Sequence, residues 1–181
     1  MIFRFFRKDR APTAVEAVFG RIVDASREPR LYTGFGIPDT VEGRFESAIL
    51  HMVATLRRLR ELPKPADEFA QELVDAFFQW LDDTLRDMGV GDIAVPKRMK
   101  KLVEAFYGRA HSYDSALDQQ DRAALVETLR RNVTGEEPAE MLADYLIASC
   151  ARMAEQDFEA LIAEGPAFAR PEGPASAPPE N

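Results

Sequence analysis

Apolar residues recur at intervals of three and four along most of the chain, the spacing of helices that bury one face. The clearest run contains Val41, Phe45, Ile49, Met52 and Leu56. Strand-type alternation is not evident, and β-branched residues do not cluster. The pattern predicts helices that begin near Thr13, Asp39, Asp67, Pro96, Gln120 and Pro138. We therefore expect an all-α fold, a single compact domain of about six helices over residues 13–164.

Glycine and proline residues mark the ends of these helices and the limits of the domain. Residues 27–39 are predicted to form a loop because they contain two prolines and two glycines. Gly89 and Gly91 end the third predicted helix, and the sixth is expected to run to about Ala163. Residues 165–181 hold five prolines and two glycines. Such a segment buries too little surface to offset the entropy of ordering, so it is predicted to be a disordered tail.

Composition is that of a globular domain rather than a fibrous or disordered chain, with 46% apolar and 30% charged residues among 181. The net charge of −8 does not favour general binding to nucleic acid or anionic lipid. A single cysteine, Cys150, excludes an intrachain disulfide and is interpreted as a small buried apolar residue. No apolar run reaches the length of a membrane span. We expect a cytoplasmic protein, with association at the inner face of the membrane left open.

The first twelve residues form a separate basic and aromatic segment. Residues 1–10 combine four basic residues and one acidic residue with the apolar side chains of Ile2, Phe3, Phe5 and Phe6. Such a segment suits a membrane interface, where the phenylalanines enter the headgroup region. The alternative is an ordinary chain end whose phenylalanines pack on the domain. The sequence leaves both interpretations open.

A basic stretch lies within this acidic chain. Between Pro96 and Arg109, five basic residues accompany one acidic residue. We name Lys97, Arg98, Lys100 and Lys101 the basic face. It is predicted to bind a phosphate group, RNA or an acidic protein surface, the alternative being a solvated face partly neutralised by the adjoining acidic helix. A further hypothesis pairs some of these bases with Asp83 or Asp87.

Two pairs of aspartates point to an enzymatic alternative. Asp83 and Asp87 are four residues apart, as are Asp114 and Asp118. Pairs of this kind, facing one another across a helical bundle, hold magnesium against a diphosphate in isoprenoid-diphosphate enzymes. The chain is short for such an enzyme, Arg86 lies inside the first pair, and acids four apart are common in so acidic a chain. A structural role is therefore favoured.

The two histidines do not strengthen the enzymatic alternative. His51 and His111 have no local nucleophile or orienting carboxylate, and with one cysteine they match no zinc-ligand spacing. His51 follows Arg44 by seven residues on one helix flank, which suits a pair packed on a neighbouring helix or a polar patch aimed at a partner. We predict no catalytic residue, no bound cofactor and no metal site.

Two segments resemble the ubiquinol–cytochrome c chaperone family. The first runs from Leu31 to Phe45, LYTGFGIPDTVEGRF, and continues to His51 and to the Arg-Arg-Leu at 57–59. The second runs from Asp82 to Lys97, DDTLRDMGVGDIAVPK, and is followed by the Phe-Tyr-Gly-Arg at 106–109. The resemblance covers about residues 31–165 and is densest over 31–117.

Membership implies a non-enzymatic assembly factor for ubiquinol–cytochrome c reductase that binds apolar helices of newly made cytochrome b. Mitochondrial members also work with a small helical partner and associate with the ribosome near its exit tunnel. The chain is expected to be a bacterial-type member. The family's motif positions, which we take as candidates for partner binding, are Glu42, Gly43, Arg44, Phe45, His51, Asp83, Arg86, Gly89, Gly91, Asp92, Pro96, Lys97, Tyr107, Gly108 and Arg109.

Overall fold

A computed structural model describes residues 13–134 and 138–171. Its α-helices are α1 (Ala14–Ser26), α2 (Pro29–Thr33), α3 (Val41–Glu61), α4 (Ala66–Asp87), α5 (Val95–Asp118), α6 (Arg122–Leu129), α7 (Ala139–Ala154) and α8 (Phe158–Glu164). A π-helical turn, Arg130–Thr134, follows α6. Within these two ranges no strand occurs, and the helices pack around one core. The prediction of a compact all-α fold is confirmed.

Polar side chains cap several helices at their first turn. The Thr13 hydroxyl accepts a hydrogen bond from the Glu16 amide, and the Glu16 carboxylate accepts one from the Thr13 amide. Thr40 caps α3 with its hydroxyl, and Asp121 and Asp157 cap α6 and α8 with their carboxylates. Each cap satisfies an amide that the first turn of a helix leaves without an internal partner.

Two predicted segments differ from the structure. The expected loop over residues 27–39 contains the short helix α2, which begins at Pro29 because proline suits the first helical turn. The expected sixth helix is interrupted at Gln156, where α7 has ended and α8 has not begun. The guanidinium of Arg58 donates two hydrogen bonds to the Gln156 carbonyl oxygen, at 2.9 and 2.6 Å. In a continuous helix, that carbonyl oxygen would instead accept a hydrogen bond from the backbone amide four residues later.

The predicted tail begins with an ordered segment, residues 165–171, which packs against the helices. Gly165 is buried, and Phe168 is half-buried against the core. Disorder is therefore the wrong prediction for these seven residues. The rest of the predicted tail, 172–181, lies outside the described residues, as do Ile2, Phe3, Phe5 and Phe6 of the N-terminal segment.

Helix α3 lies at the centre of the bundle. It packs against α1, α4, α5 and α7, and every residue from Glu46 to Thr55 is buried. The sequence pattern predicts one apolar stripe, but neighbours surround the helix on all sides. This is possible because its polar residues find hydrogen-bond partners inside the bundle, as buried polar groups require.

An aromatic cluster joins α1, α3, α4 and α5. Phe77 is fully buried at its centre, with ring centroids 6.4 Å from Phe45 and 5.2 Å from Phe106. Phe19 packs edge-on against Phe77 and Trp80, at 6.4 and 6.0 Å. Fully burying one such side chain stabilises a fold by about 1.5–3 kcal/mol, so the cluster anchors the four helices to one another.

We predict that Gly43→Ala destabilises the protein. A Cβ atom at Gly43 would collide with the carbonyl oxygen of Pro38, which precedes α3. Backbone atoms cannot yield as a flexible side chain would, so the start of α3 must shift. We expect the free energy of unfolding to fall by about 1–3 kcal/mol, the usual cost of overpacking. Urea denaturation measures it.

Gly108→Ala is the matched control. Gly108 also lies within a helix, but nothing is within 4 Å of the position its Cβ would take. Alanine has a higher helix propensity than glycine, so the free energy of unfolding of this variant should rise by roughly 0.5–1 kcal/mol. Equal changes in the free energy of unfolding of the two variants would contradict the close approach of the Pro38 backbone to Gly43.

Candidate functional site

Helices α4 and α5 form a hairpin whose connection, residues 88–94, we name the hairpin tip. Gly89 ends α4 with a φ of +80°, a conformation that glycine adopts at little cost. The Gly89 amide donates a hydrogen bond to the Arg86 carbonyl oxygen at 2.9 Å, and the Val90 amide donates one to the Leu85 carbonyl oxygen at 3.0 Å. This pair of bonds is a Schellman motif. The tip therefore leaves α4 in one defined direction.

The side chain of Arg86 holds the tip in place. Its Nε atom donates to Asp82, one helical turn earlier, at 2.6 Å, and its Nη1 atom donates to Asp92 within the tip. Hydrogen bonds from the guanidinium to Asp82 and then Asp92 raise the pKa of Arg86. Ion pairs as exposed as these contribute little to global stability, so their effect is to fix the position of the tip relative to α4.

The hairpin presents apolar side chains to solvent. Ile93 is 98% exposed and Met88 is 50% exposed, both within the tip. Further along α5, Tyr107 is 55% exposed, and its ring centroid lies 6.1 Å from that of Phe78. Removing such side chains from water is favourable, so this surface can gain free energy from a partner that covers it.

The basic face lies on the first turns of α5, directly after the tip. Its four side chains are exposed, and the Nζ atom of Lys100 lies 3.9 Å from a Glu104 carboxylate oxygen. Among the described residues, none of the four forms an ion pair with Asp83 or Asp87, so the predicted pairing is wrong. Arg86, a residue of α4 itself, bridges the connection instead.

The charges around the tip are divided between its two sides. The α4 side carries Asp82, Asp83, Asp87 and, within the tip, Asp92, with Arg86 as their basic neighbour. The α5 side carries the basic face. Along the chain, the exposed Met88 and Ile93 thus stand between an acidic segment and a basic one, which suits a partner with complementary charges.

The second aspartate pair is occupied by arginines from α3. Arg60 forms two hydrogen bonds with the Asp114 carboxylate, at 2.8 and 2.9 Å, and Arg57 donates to Asp118. These ion pairs join α3 to α5. Over residues 13–134 and 138–171, no group of three or more acidic, histidine or cysteine side chains could hold a metal ion. The arrangement does not favour the isoprenoid-diphosphate interpretation.

A buried ion pair joins α3 to α5 closer to the centre of the bundle. Arg109 donates to both carboxylate oxygens of Glu46, at 3.0 and 2.7 Å. Burial raises the pKa of the Glu46 carboxyl, while the Arg109 guanidinium opposes that shift. Our sequence reasoning missed Glu46. The available signal was an acidic residue among apolar neighbours on a central helix, which needs a basic partner once it is buried.

His51 is fully buried between α3 and α7. The Ser47 carbonyl oxygen can only accept, so the His51 Nδ1 atom carries the proton and donates to it at 2.7 Å. The Nε2 atom accepts a hydrogen bond from the Tyr145 hydroxyl at 2.8 Å. Burial lowers the pKa of His51 to about 4, and the imidazole is neutral at pH 7. It therefore joins α3 to α7 inside the bundle.

The family's motif positions divide between surface and interior. Those at the surface are Glu42, Arg44, Arg86, Gly89, Gly91, Asp92, Pro96, Lys97, Tyr107 and Gly108. Those buried or half-buried are Gly43, Phe45, His51, Asp83 and Arg109. The surface positions lie mostly on the hairpin, whereas the interior ones lie mostly on α3. Ile93 and Met88, the most exposed apolar side chains of the tip, were not singled out by our sequence reasoning.

Cys150 lies half-buried at a cavity of about 360 Å³ between α3, α5, α6 and α7. Arg57, Leu117 and Ile147 also line it. Burial raises the pKa of the Cys150 thiol to about 11, so the thiol is neutral at pH 7. A neutral thiol is a weak nucleophile, in keeping with the interpretation of Cys150 as an apolar residue.

Comparison with known proteins shows the family. The model of the family described as ubiquinol-cytochrome C chaperone matches residues 33–168. A crystal structure of the Cbp3 homolog from Brucella abortus is 38% identical, with a TM-score of 0.79, over 87% of this chain and 90% of that one. No curated protein matches the chain. The chain belongs to the ubiquinol–cytochrome c chaperone family, as its resemblance predicted. None of the helices in the described ranges has the length and apolar content needed to cross a membrane.

We predict that the buried His51 makes the protein less stable in acid. Between its ordinary pKa of 6.5 and its folded value of about 4, the unfolded chain binds a proton that the folded protein does not. The free energy of unfolding therefore falls as the pH drops from 6.5 toward 4. The part due to His51 is about 3 kcal/mol, which urea denaturation across this range would measure.

His51→Gln isolates that contribution. The variant removes the titrating group, so its stability should depend less steeply on pH than that of the natural protein. His111→Gln, at the exposed histidine of α5, is the control and should keep the natural slope. A His51→Gln variant with an unchanged slope would show that another group is responsible.

Proposed function

We propose that this chain is a non-enzymatic chaperone that binds newly made cytochrome b during assembly of ubiquinol–cytochrome c reductase. The observation that carries the proposal is the family match over residues 33–168, supported by 38% identity to the Cbp3 homolog. A small helical partner and a bacterial-type role, both implied by the resemblance, belong to the same proposal. So does a location at the inner face of the membrane, where the client is inserted.

We infer that the hairpin tip is the surface that contacts the client. A membrane subunit exposes apolar segments until it is inserted, and a chaperone must cover them. Ile93 and Met88 project from a turn held by Arg86 and Gly89, so little conformational entropy is lost when a client binds. Burying one such side chain is worth about 1.5–3 kcal/mol, enough to hold a client and still release it.

We further propose that the basic face binds an anionic surface next to the site of insertion. Ribosomal RNA near the exit tunnel and phospholipid headgroups are the two surfaces with this chemistry. The four exposed bases follow the tip directly, so one orientation would bring both to such a surface. We also propose that Ile2, Phe3, Phe5 and Phe6, which lie outside the described residues, add an apolar contact with the membrane.

We predict that Ile93→Ser impairs assembly without destabilising the protein. Ile93 is 98% exposed, so its loss should leave the midpoint of thermal unfolding unchanged. Losing about 1.5–2 kcal/mol of contact energy would weaken client binding roughly tenfold to thirtyfold. In cells that lack the natural gene, the variant should support less cytochrome b than the natural protein does, as measured by immunoblotting.

Ile147→Ser is the matched control. Ile147 is 37% exposed on α7, beside the end of α5 that is opposite the hairpin tip, and should support normal cytochrome b levels. Equal cytochrome b levels with the two variants would contradict the proposal that the hairpin tip contacts the client. Normal cytochrome b in cells that lack the gene altogether would contradict the chaperone proposal itself.

We predict that reversing three charges of the basic face abolishes binding to an anionic surface. The variant combines Lys97→Glu, Lys100→Glu and Lys101→Glu, and Lys64→Glu, between α3 and α4, is the control. Cosedimentation with ribosomes and with anionic vesicles, each at low and high salt, identifies the surface. Binding by the natural protein should weaken steeply with salt, because each contact releases counterions. Binding that the triple reversal leaves unchanged would contradict the role of the basic face.

A further inference from the structure

The ordered segment after α8, residues 165–171, lies against α3 and α7 without forming a helix. We name this segment the strap. The surface beneath it, the strap groove, is formed by His51 of α3, Tyr145 and Ser149 of α7, and Gln156 between α7 and α8. All four side chains of the groove are buried in the folded protein.

The strap groove holds the strap chiefly by its backbone. The Ala167 amide donates to the Gln156 Oε1 atom at 2.8 Å, and the Ala169 amide donates to the Ser149 hydroxyl at 3.1 Å. The Gln156 Nε2 atom donates to the Gly165 carbonyl oxygen at 2.9 Å. These bonds involve only main-chain atoms of the strap, so they are available to any chain that adopts the same backbone, including the turn in which the Phe168 amide donates to the Pro166 carbonyl oxygen at 3.0 Å.

A single large side chain of the strap is bound in the groove. The Phe168 ring packs edge-on against the imidazole of His51, with centroids 4.7 Å apart. Its neighbours Ala167 and Ala169 are small and half-buried, and Arg170 is exposed. The groove thus favours one aromatic residue between small residues. The strap enters it through Gly165, where φ is +84° and a Cβ atom would collide with the Arg21 Cδ atom, so this position also favours glycine.

Two parts of the groove, the Gln156 backbone and the His51 ring, are held by groups outside the strap. Two hydrogen bonds from Arg58 fix the Gln156 backbone, and the Ser47 carbonyl oxygen fixes the His51 ring. Without the strap, the Ser149 hydroxyl and the Gln156 amide would lose their partners. A second chain with the same backbone could supply those partners again and exclude water from the groove.

We propose that the strap groove is a binding site for a non-helical apolar segment of the client, with an aromatic residue in the place of Phe168. The strap occupies this site until such a segment displaces it. The proposal rests on the chaperone function proposed above and adds a second site, separate from the hairpin tip, that reads backbone rather than sequence.

A peptide with the strap's own sequence tests the site directly. The probe is a fluorescent peptide of residues 164–171, EGPAFARP, and the protein is the full chain. Ala169→Pro removes the amide that donates to Ser149 and leaves every residue of the groove in place. We expect this variant to bind the peptide about tenfold more tightly than the natural chain, because the groove is unoccupied in a larger fraction of the molecules once the strap is released.

Arg170→Pro is the matched control, since Arg170 is exposed and no hydrogen bond is formed by its amide within the described ranges. It should bind the peptide as weakly as the natural chain. A peptide with alanine in place of Phe168 should not bind Ala169→Pro, and adding Ser149→Ala to that variant should weaken binding. Should Ala169→Pro fail to fold, Phe168→Ala releases the strap by a different route.

Three results would overturn the proposal. The first is a folded Ala169→Pro variant that binds the peptide no better than the natural chain. The second is equal binding of the alanine-substituted peptide. The third is dimerisation of the natural chain in size-exclusion chromatography that Ala169→Pro abolishes, which would make a second copy's strap the occupant. The test needs no cytochrome b, so its failure is distinct from failure of the chaperone role, which the cellular experiment decides.

Discussion

The structure depends on the burial of the middle of helix α3, from Glu46 to Thr55, including its polar side chains. Glu46 binds Arg109 of α5, the Ser47 hydroxyl donates to the Ser26 carbonyl oxygen of α1 at 2.8 Å, and His51 binds Tyr145 of α7. Each of these bonds reaches a different neighbour. A buried polar group without its partner costs more than the bond itself contributes, so the three bonds select one rotation and one register for α3. Apolar packing alone would allow several rotations and registers of α3.

This central constraint leaves the periphery of the bundle free for binding. The hairpin tip lies beyond the core and owes its shape to local interactions, the Schellman motif at Gly89 and the two carboxylates on Arg86. The strap owes its position to Ser149 and Gln156. Substitutions at Ile93 or in the strap can therefore change binding without changing the register of α3. A chaperone benefits from this separation, since it must engage and release a client while its own core stays folded.

Local signals predicted much of the fold, because helical periodicity and caps depend on neighbouring residues. The predicted helix starts at Thr13 and Pro96 follow from such signals, whereas the start predicted near Asp39 falls one residue later, because Thr40 rather than Asp39 caps α3. The break at Gln156 could not be predicted from local signals, because its cause is Arg58, almost a hundred positions away in the chain. The strap was missed for the same reason: its composition indicates disorder, and only contacts with α3 and α7 order it. At the site, the family motif identified the hairpin, but exposure of Ile93 depends on how the whole connection is folded.

The central claim is that the hairpin tip contacts cytochrome b during assembly. Site-specific photocrosslinking in living cells measures this contact, with a photoreactive residue at position 93 and, as reference, at position 147. The account predicts a crosslinked product with cytochrome b from position 93 and little from position 147. Equal crosslinking from the two positions, or none from position 93 in cells that are making the reductase, would contradict it.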